Sequence, residues 1–532
     1  MNMGPFKNYP LTDFSLPEKR QLLEVRLQSL QSRITAENGL HAAPLINGIE
    51  HKSEDTYLRY NPSDHSQLIG STAFATTEQA QLALNTAVDA LPVWRTVPCA
   101  SRADIIRRVG DLIKERHSFF TSLLILEAGK PFREADADVA EAIDFCNYYA
   151  EEMTRIGQPI RTQEVLGEEN TYFYQPRGVV AVISPWNFPL AIACGMTVAG
   201  LVTGNTVILK PSEQTSIVGF EFAKLVLEAG VPKNAFSYLP GRGEVVGDFI
   251  VRAPETNMIV FTGSREVGCG IIETAAQIVP QQRAIKKVVA ELGGKNAIIV
   301  DDDADIDDAL RGIISSAFGY SGQKCSACSR LIVVGSRYEE LLERLSNATQ
   351  DLVVGPASKG ASFMGPVVDN ESYDRIISLI KSEGKAALLC QGKIPEEISP
   401  TGWYVPPTIF RDVDEASPLW TSEIFGPVLA CMNVSSFEEA LELANNSEYG
   451  LTGGLFSRSP AHIQRAREAF EVGNLYINRS ITGALVQRQP FGGFKFSGVG
   501  SKAGGQDYLL QFMEPRTVTE NTMRKGYTPD IT

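Results

Sequence analysis

The 532-residue sequence predicts an α/β protein of two or more domains, with parallel sheets covered by helices on both faces. Three observations carry this. The chain is well beyond the roughly 250–300 residues at which a single core stops growing. From Arg177 onward, short apolar runs alternate with stretches of helical periodicity. A second series of the same kind begins at Ala304 and includes strands at Leu331–Val334 and Leu429–Met432.

Taken in order, Leu22–Ile34 carries helical spacing and Gly39–Asn47 reads as loop, so residues 1–54 are expected to form a separate lead-in. Ala103–Leu126 is amphipathic and helical, and so, after Gly129–Pro131, is Glu134–Met153. The alternating series then runs through Val179–Ile183, Pro189–Leu201, Thr206–Leu209, Gln214–Ala229, Phe236–Leu239, Glu244–Val251, Met258–Phe261 and Glu266–Val279. It closes on a strand pair around Val288–Val289 and Ala297–Val300. Gly178–Leu209 contains no charged residue, which raises the question of a membrane span. Pro185, Asn187 and Pro189 interrupt it and Gly204–Asn205 end its second half, so it reads as buried strand, loop, helix and strand.

With 43% hydrophobic and 21% charged residues the composition is that of a globular protein. A net charge of −14 would repel both a phosphate backbone and an anionic bilayer, which argues against those partners. Met1–Pro10 lacks the apolar run of a signal peptide. Eight scattered cysteines suit free thiols in a reducing cytoplasm better than a disulfide framework.

The chemistry concentrates in "GQKCSACSR", residues 322–330. Zinc would need about four ligands, and neither a second CxxC nor a histidine pair is present. The histidines are at 41, 51, 65, 117 and 462, which also weakens a Cys–His or Ser–His–Asp arrangement. A thioredoxin-like CxxC lacks its usual early βαβ setting. What remains is a nucleophilic Cys325 at the start of a helix, where the dipole and Lys324 would lower its pKa, with Cys328 one turn on as packing. Such a nucleophile needs an oxyanion donor and a base. Asn187 in "SPWNFP" offers a side-chain N–H, and Glu291 in "AELGG" offers a carboxylate whose pKa partial burial would raise.

Three further stretches sit where strands would end. "PGRGEVVG" (240–247) resembles a dinucleotide fingerprint with a GxGxxxG spacing, and read alone is an ordinary βα turn. In "FTGSREVG", Gly263 and Ser264 precede a helix whose free N–H groups favour a pyrophosphate; the plain alternative is a helix cap by Ser264. In "LKPSEQT", Lys210 and Glu213 lie where a ribose would meet the sheet edge, or else form a solvated pair.

"SPWNFPL", "LKPSEQT", "FTGSREVG", "ELGGKNA", "GQKCSACSR", "EIFGPV" and "PFGGFKFSG" follow one another as in the aldehyde dehydrogenase superfamily, which the chain resembles over roughly residues 55–515. The resemblance implies the fold of that superfamily: a Rossmann-like nucleotide-binding domain (55–157 and 176–292), an α/β catalytic domain (293–505) and an oligomerisation element (158–175 and 506–532). It implies Cys325 as nucleophile, Asn187 with the Cys325 N–H as oxyanion site, and Glu291 as the base that activates water for thioester hydrolysis. It also implies NAD as cofactor, no metal, and a homo-oligomer acting on a small molecule. Lys210 and Glu213 would hold the adenine ribose, Ser264 the pyrophosphate with Gly263, and Glu423 the nicotinamide ribose. Ser184, Trp186, Gly243 and Phe425 would line the cofactor cleft.

The stretch 478–512 is similar to the branch that oxidises glutamate semialdehyde, in which a loop anchors the amino-acid end of the substrate. Gly483 and Ala484 would give backbone N–H groups to the carboxylate, assisted by Ser326, with Phe188 and Phe491 flanking the aliphatic chain. The competing expectations are another carboxylated aldehyde, such as succinic semialdehyde, or a non-catalytic homologue. The second would be marked by loss of Cys325, Asn187 or Glu291, and all three are present.

Overall fold

The computed structural model describes residues 6–382 and 387–523. Among these, two open sheets form the body. The first runs, in spatial order, Gly498–Val499, Lys287–Glu291, Thr256–Thr262, Val179–Ile183, Thr206–Lys210, Phe236–Tyr238, Leu45–Ile46 and Ile49–Glu50. Its middle five strands are parallel, and their register sets Thr262 beside Glu291, Phe261 beside Ile183, and Ile183 beside Lys210. The carboxyl ends therefore line up along one edge. Chain order reverses at Val179–Ile183, which neighbours Thr206–Lys210 on one side and Thr256–Thr262 on the other, and such a reversal opens a crevice for a ligand.

The second sheet runs Ala387–Gln391, Thr408–Arg411, Val428–Val434, Cys328–Val334, Asn296–Val300, Thr452–Phe456 and Asn474–Ile477, with its last six strands parallel. Strands such as Val179–Val182 and Asn296–Val300 are buried on both faces, so they read as continuous apolar runs without alternation. A third sheet is antiparallel: Met513–Asn521 pairs with Glu168–Pro176 over nine positions, and Ile160–Arg161 extends it. Residues 524–532 of the expected oligomerisation element lie outside the described residues.

Three expectations are corrected. The lead-in is not separate: helix Pro17–Ala36 buries Leu23, Leu27, Leu30 and Ile34 in the main core, and Leu45–Ile46 joins the first sheet through Tyr238. Each such leucine contributes about 1.5–3 kcal/mol by burial, which ties the segment to the domain. The supposed strand pair is split, since Lys287–Glu291 belongs to the first sheet and Asn296–Val300 to the second. The intervening Leu292–Lys295 is where the chain crosses between them. The helix over Ala103–Leu126 is two, Cys99–Glu115 and His117–Ala128, broken at Arg116.

Candidate active site

Cys325 lies in a turn ahead of strand Cys328–Val334, not at a helix start. The approach is a tight left-handed bend, with φ of 52° at Tyr320, 55° at Ser321 and 70° at Gly322. A Cβ on Gly322 would stand 2.2 Å from the Gly426 carbonyl, so only glycine fits there. Tyr320 donates to the Ala128 carbonyl at 2.9 Å and Ser321 to that of Gly365 at 2.7 Å, which fixes two side chains of the bend. Beyond it, Asn296 Nδ2 donates to the carbonyls of Cys325 (2.7 Å) and Ala327 (2.8 Å), while its Oδ1 accepts from Thr452 N at 3.0 Å. The Cys325 turn is thus clamped by the second sheet.

The turn also reverses the expected acidity. With no helix dipole behind it, the thiol is pushed up to about 12 by burial first, then by the charges of Glu423 and Glu291; the Ser326 N–H bond opposes this only in part. Cys328 starts a strand rather than following on a helix; it is 1% exposed and packs in the second core.

Asn187 leaves the strand end Ile183 through the Ser184–Trp186 loop and is buried. Its Nδ2 donates to the Gln323 carbonyl at 3.1 Å, two residues before Cys325, leaving the second amide hydrogen for a ligand oxygen. Its own carbonyl accepts from Lys130 Nζ at 2.7 Å. That fully buried ammonium also pairs with Asp138 at 2.9 Å and lies 3.7 Å from the centre of the Phe188 ring. Asp138 in turn accepts from Ala191 N at 2.7 Å, so the loop is held at both ends. Asn187→Ala is expected to lower kcat by about 10²–10³ if the amide stabilises an oxyanion. A steady-state assay showing only a few-fold loss would reduce it to a loop support.

Glu291 ends strand Lys287–Glu291 with Oε2 buried and without a hydrogen-bond partner. Burial pushes its pKa up to about 8 against the pull of Lys502. Gly492 leaves room for it, since a Cβ there would stand 2.9 Å from Oε1. Glu423 accepts from Gly294 N at 3.0 Å, and a Cβ on Gly293 would meet its carboxylate at 2.0 Å. Its pKa is raised to about 6, chiefly by burial.

The carboxyl edge of the first sheet has the features a dinucleotide needs. Lys210 and Glu213 pair at 2.7 Å, and Lys210 is buried rather than solvated. Ser264 is the cap of helix Arg265–Ala276, accepting from Val267 N at 3.3 Å, with Gly263 just before it at the strand end. Gly243 follows strand Phe236–Tyr238 and has open space where a Cβ would be. Ser184 Oγ is buried without a partner, and the Trp186 ring meets Phe425 edge-on at 5.4 Å. An orphaned hydroxyl, a helix N-terminus and a Lys–Glu pair along one edge fit a dinucleotide.

Sequence residues 49–518 match the model of the aldehyde dehydrogenase family. The chain belongs to the aldehyde dehydrogenase family. Within that family it is 46% identical over 516 residues to a 1-pyrroline-5-carboxylate dehydrogenase of Geobacillus thermodenitrificans, covering 97% of this chain and 99% of the relative. A 1-pyrroline-5-carboxylate dehydrogenase from Thermus, solved with bound NAD, superposes with a TM-score of 0.93 at 42% identity, covering 98% of this chain and all of that one. Proline utilization A from Bdellovibrio bacteriovorus superposes with a TM-score of 0.95 at 46% identity over 99% of this chain, which spans 54% of that longer protein.

For this aldehyde dehydrogenase family member, the bonds of Asn187 and Asn296 gather the Cys325 turn, and Glu423 reaches across to Gly294. Ser326 is 8% exposed, and its carbonyl accepts from Thr452 Oγ1 at 3.2 Å. Phe491 pairs with Ala503 through both backbone groups. Gly483, with φ of 75°, and Ala484 stand in a loop after strand Asn474–Ile477, and Gly483 has no atom within 4 Å of its missing Cβ. The sequence reasoning missed Asn296, Lys130 and three carboxylates of helix Phe132–Ile156. Glu134 pairs with Lys324 at 2.7 Å, Asp138 holds Lys130, and Glu141 is half-buried with no partner among the described residues. Their 134, 138, 141 spacing puts carboxylates on one helix face, and that was the available signal.

Proposed function

We infer that the chain oxidises L-glutamate γ-semialdehyde, the open form of 1-pyrroline-5-carboxylate, to L-glutamate with NAD. The observation that favours this aldehyde is Glu141, an unpaired carboxylate near enough to Cys325 to raise its pKa. Desolvation and the Asp138 charge push Glu141 itself up to about 8, so a substrate ammonium would relieve it. Succinic semialdehyde has no ammonium to offer.

Cys325 gives its proton to water and attacks the aldehyde carbon as a thiolate, and the oxyanion is taken by Asn187 Nδ2 and the Cys325 N–H. When bound, NAD would supply the hydride acceptor; the carbonyl re-forms as hydride departs from the Cys325 adduct, leaving a thioester on Cys325. Glu291 then removes a proton from water, which attacks the thioester; as the tetrahedral adduct collapses the Cys325 thiolate leaves and takes that proton back from Glu291, and glutamate departs. Gly483, Ala484 and Ser326 hold the α-carboxylate, with Phe188 and Phe491 beside the chain. Lys210, Glu213, Ser264, Gly263, Gly243, Glu423, Ser184, Trp186 and Phe425 hold the cofactor.

Residues 55–157 with 176–292 serve the cofactor and 293–505 the chemistry in this reading. The antiparallel sheet of Ile160–Arg161, Glu168–Pro176 and Met513–Asn521, largely exposed, supports a homo-oligomer. Cysteines that are all free support a cytoplasmic setting. No helix among the described residues is long and apolar enough to cross a membrane.

NADH formation across an aldehyde panel tests the substrate. Each hydrogen bond to a charged carboxylate contributes about 1.5–3 kcal/mol, so glutamate semialdehyde should exceed hexanal by at least about tenfold in kcat/KM. Ser326→Ala should narrow that gap. A higher kcat/KM for succinic semialdehyde would overturn the assignment.

A further inference from the structure

The arm ahead of helix Pro17–Ala36 takes no part in the mechanism, yet it is built into the substrate side of the molecule. Asn8 donates from Nδ2 to Asp144 Oδ2 and to the Val486 carbonyl, both at 2.9 Å, which uses both amide hydrogens. Tyr9 N donates to Asp144 Oδ1 at 2.7 Å. Thr12 then donates to Asp136 from N at 2.7 Å and from Oγ1 at 2.6 Å. Phe6 and Phe14 place their rings 5.2 Å and 5.5 Å from those of Tyr148 and Phe132. Every one of these helix partners lies on Phe132–Ile156, the helix that carries Glu134, Asp138 and Glu141.

Val486 belongs to the other side of the site, two residues after Ala484. The loop is fastened at its entry by Ile481 N donating to Ser316 Oγ at 3.0 Å. At its exit, Gln487 N donates to the Gly504 carbonyl at 2.9 Å, and Gly504 N donates to Tyr149 Oη at 2.8 Å. Between these ties Leu485 bonds only locally, its N–H donating to Gln489 Oε1 at 3.1 Å and its carbonyl accepting from Gln489 N at 2.8 Å, and Gly483 has open space where a Cβ would be, so the ends of the loop set the position of its apex. Asn8 is a polar bridge from the exit end to the carboxylate-bearing helix.

We propose that the N-terminal arm completes the substrate site, with Asn8 a positioning residue that fixes the anchor loop against helix Phe132–Ile156 through Val486. The proposal rests on the reading of Gly483–Ala484 as the carboxylate anchor. Holding the loop and the Glu141 helix at a set separation matches the α-carboxylate and ammonium of one amino-acid end. An aldehyde without that end has nothing for the loop to hold.

Asn8→Ala in the full chain is expected to raise KM for glutamate semialdehyde about tenfold with kcat within about twofold. For hexanal, kcat/KM should change less than about twofold. Hydrogen exchange of the 481–487 amides should quicken in the variant. Equal losses with both aldehydes, or no loss with either, overturns the proposal. Should Asn8→Ala fail to fold, Asp144→Asn removes the charge that holds Asn8 and Tyr9 and is expected to shift the same ratio in the same direction; an unchanged ratio overturns the proposal. A wild-type enzyme with no preference for glutamate semialdehyde over hexanal would count against the anchor reading instead. In that case unchanged exchange at 481–487 in Asn8→Ala overturns the arm's role on its own.

Discussion

Cys325→Ala is expected to abolish NADH formation from every aldehyde while leaving NAD binding and the thermal midpoint close to wild type. In the proposed reaction the thiol bonds the aldehyde carbon, and without that bond there is no oxyanion to expel hydride. The backbone around it is fixed by Asn296, Thr452 and Gln323, none of which uses the sulfur. The fold therefore keeps its clamp. Cys328→Ala is the control: its sulfur points into the second core and donates to the Arg330 carbonyl at 3.4 Å, so activity should persist with a modest loss of stability. Equal loss in both variants would indicate a dithiol mechanism. Because burial and the charges of Glu423, Glu291 and Glu141 push Cys325 up to about 12, oxidation in wild type should quicken as pH rises, and pre-steady-state NADH traces read this directly.

Glu291→Gln is expected to separate the two halves of the reaction. Forming the thioester needs the thiol and the oxyanion site, whereas releasing it needs a base, so one equivalent of NADH should appear in a burst before slow turnover. The loss in steady-state rate should be about 10²–10⁴, the usual contribution of a general base. With a pKa pushed up to about 8, Glu291 is protonated below that pH and acts as base above it. Thioester release in wild type should therefore rise through pH 8 and level off, and the variant should lose that limb. Absence of any burst would place Glu291 in thiol activation instead.

The ordered motifs made the family legible, because several of them, such as those after Ile183, Lys210 and Thr262, sit at strand ends where glycine, proline or a lone polar residue interrupts an apolar run. Periodicity located Val179–Ile183, Thr206–Lys210 and Asn296–Val300 for the same reason: strands buried on both faces read as unbroken apolar runs. Periodicity says nothing about which sheet a strand joins, so Lys287–Glu291 and Asn296–Val300 looked like neighbours. It also cannot tell a turn from a helix start. Both begin with a glycine-rich approach, and only the left-handed bend at Tyr320–Gly322 shows that no dipole supports Cys325.

The sequence by itself determined the family, and it singled out Cys325, Asn187 and Glu291 as the candidate catalytic residues through residue types in a recognisable order. Tertiary structure decided their acidities and their supports. Lys130 reaches Asn187 from 57 positions away, and Asn8 reaches Val486 from 478 away. Acidity follows from desolvation and from charges such as Glu423 beside Cys325, which are set by packing in three dimensions and leave no trace in spacing along the chain.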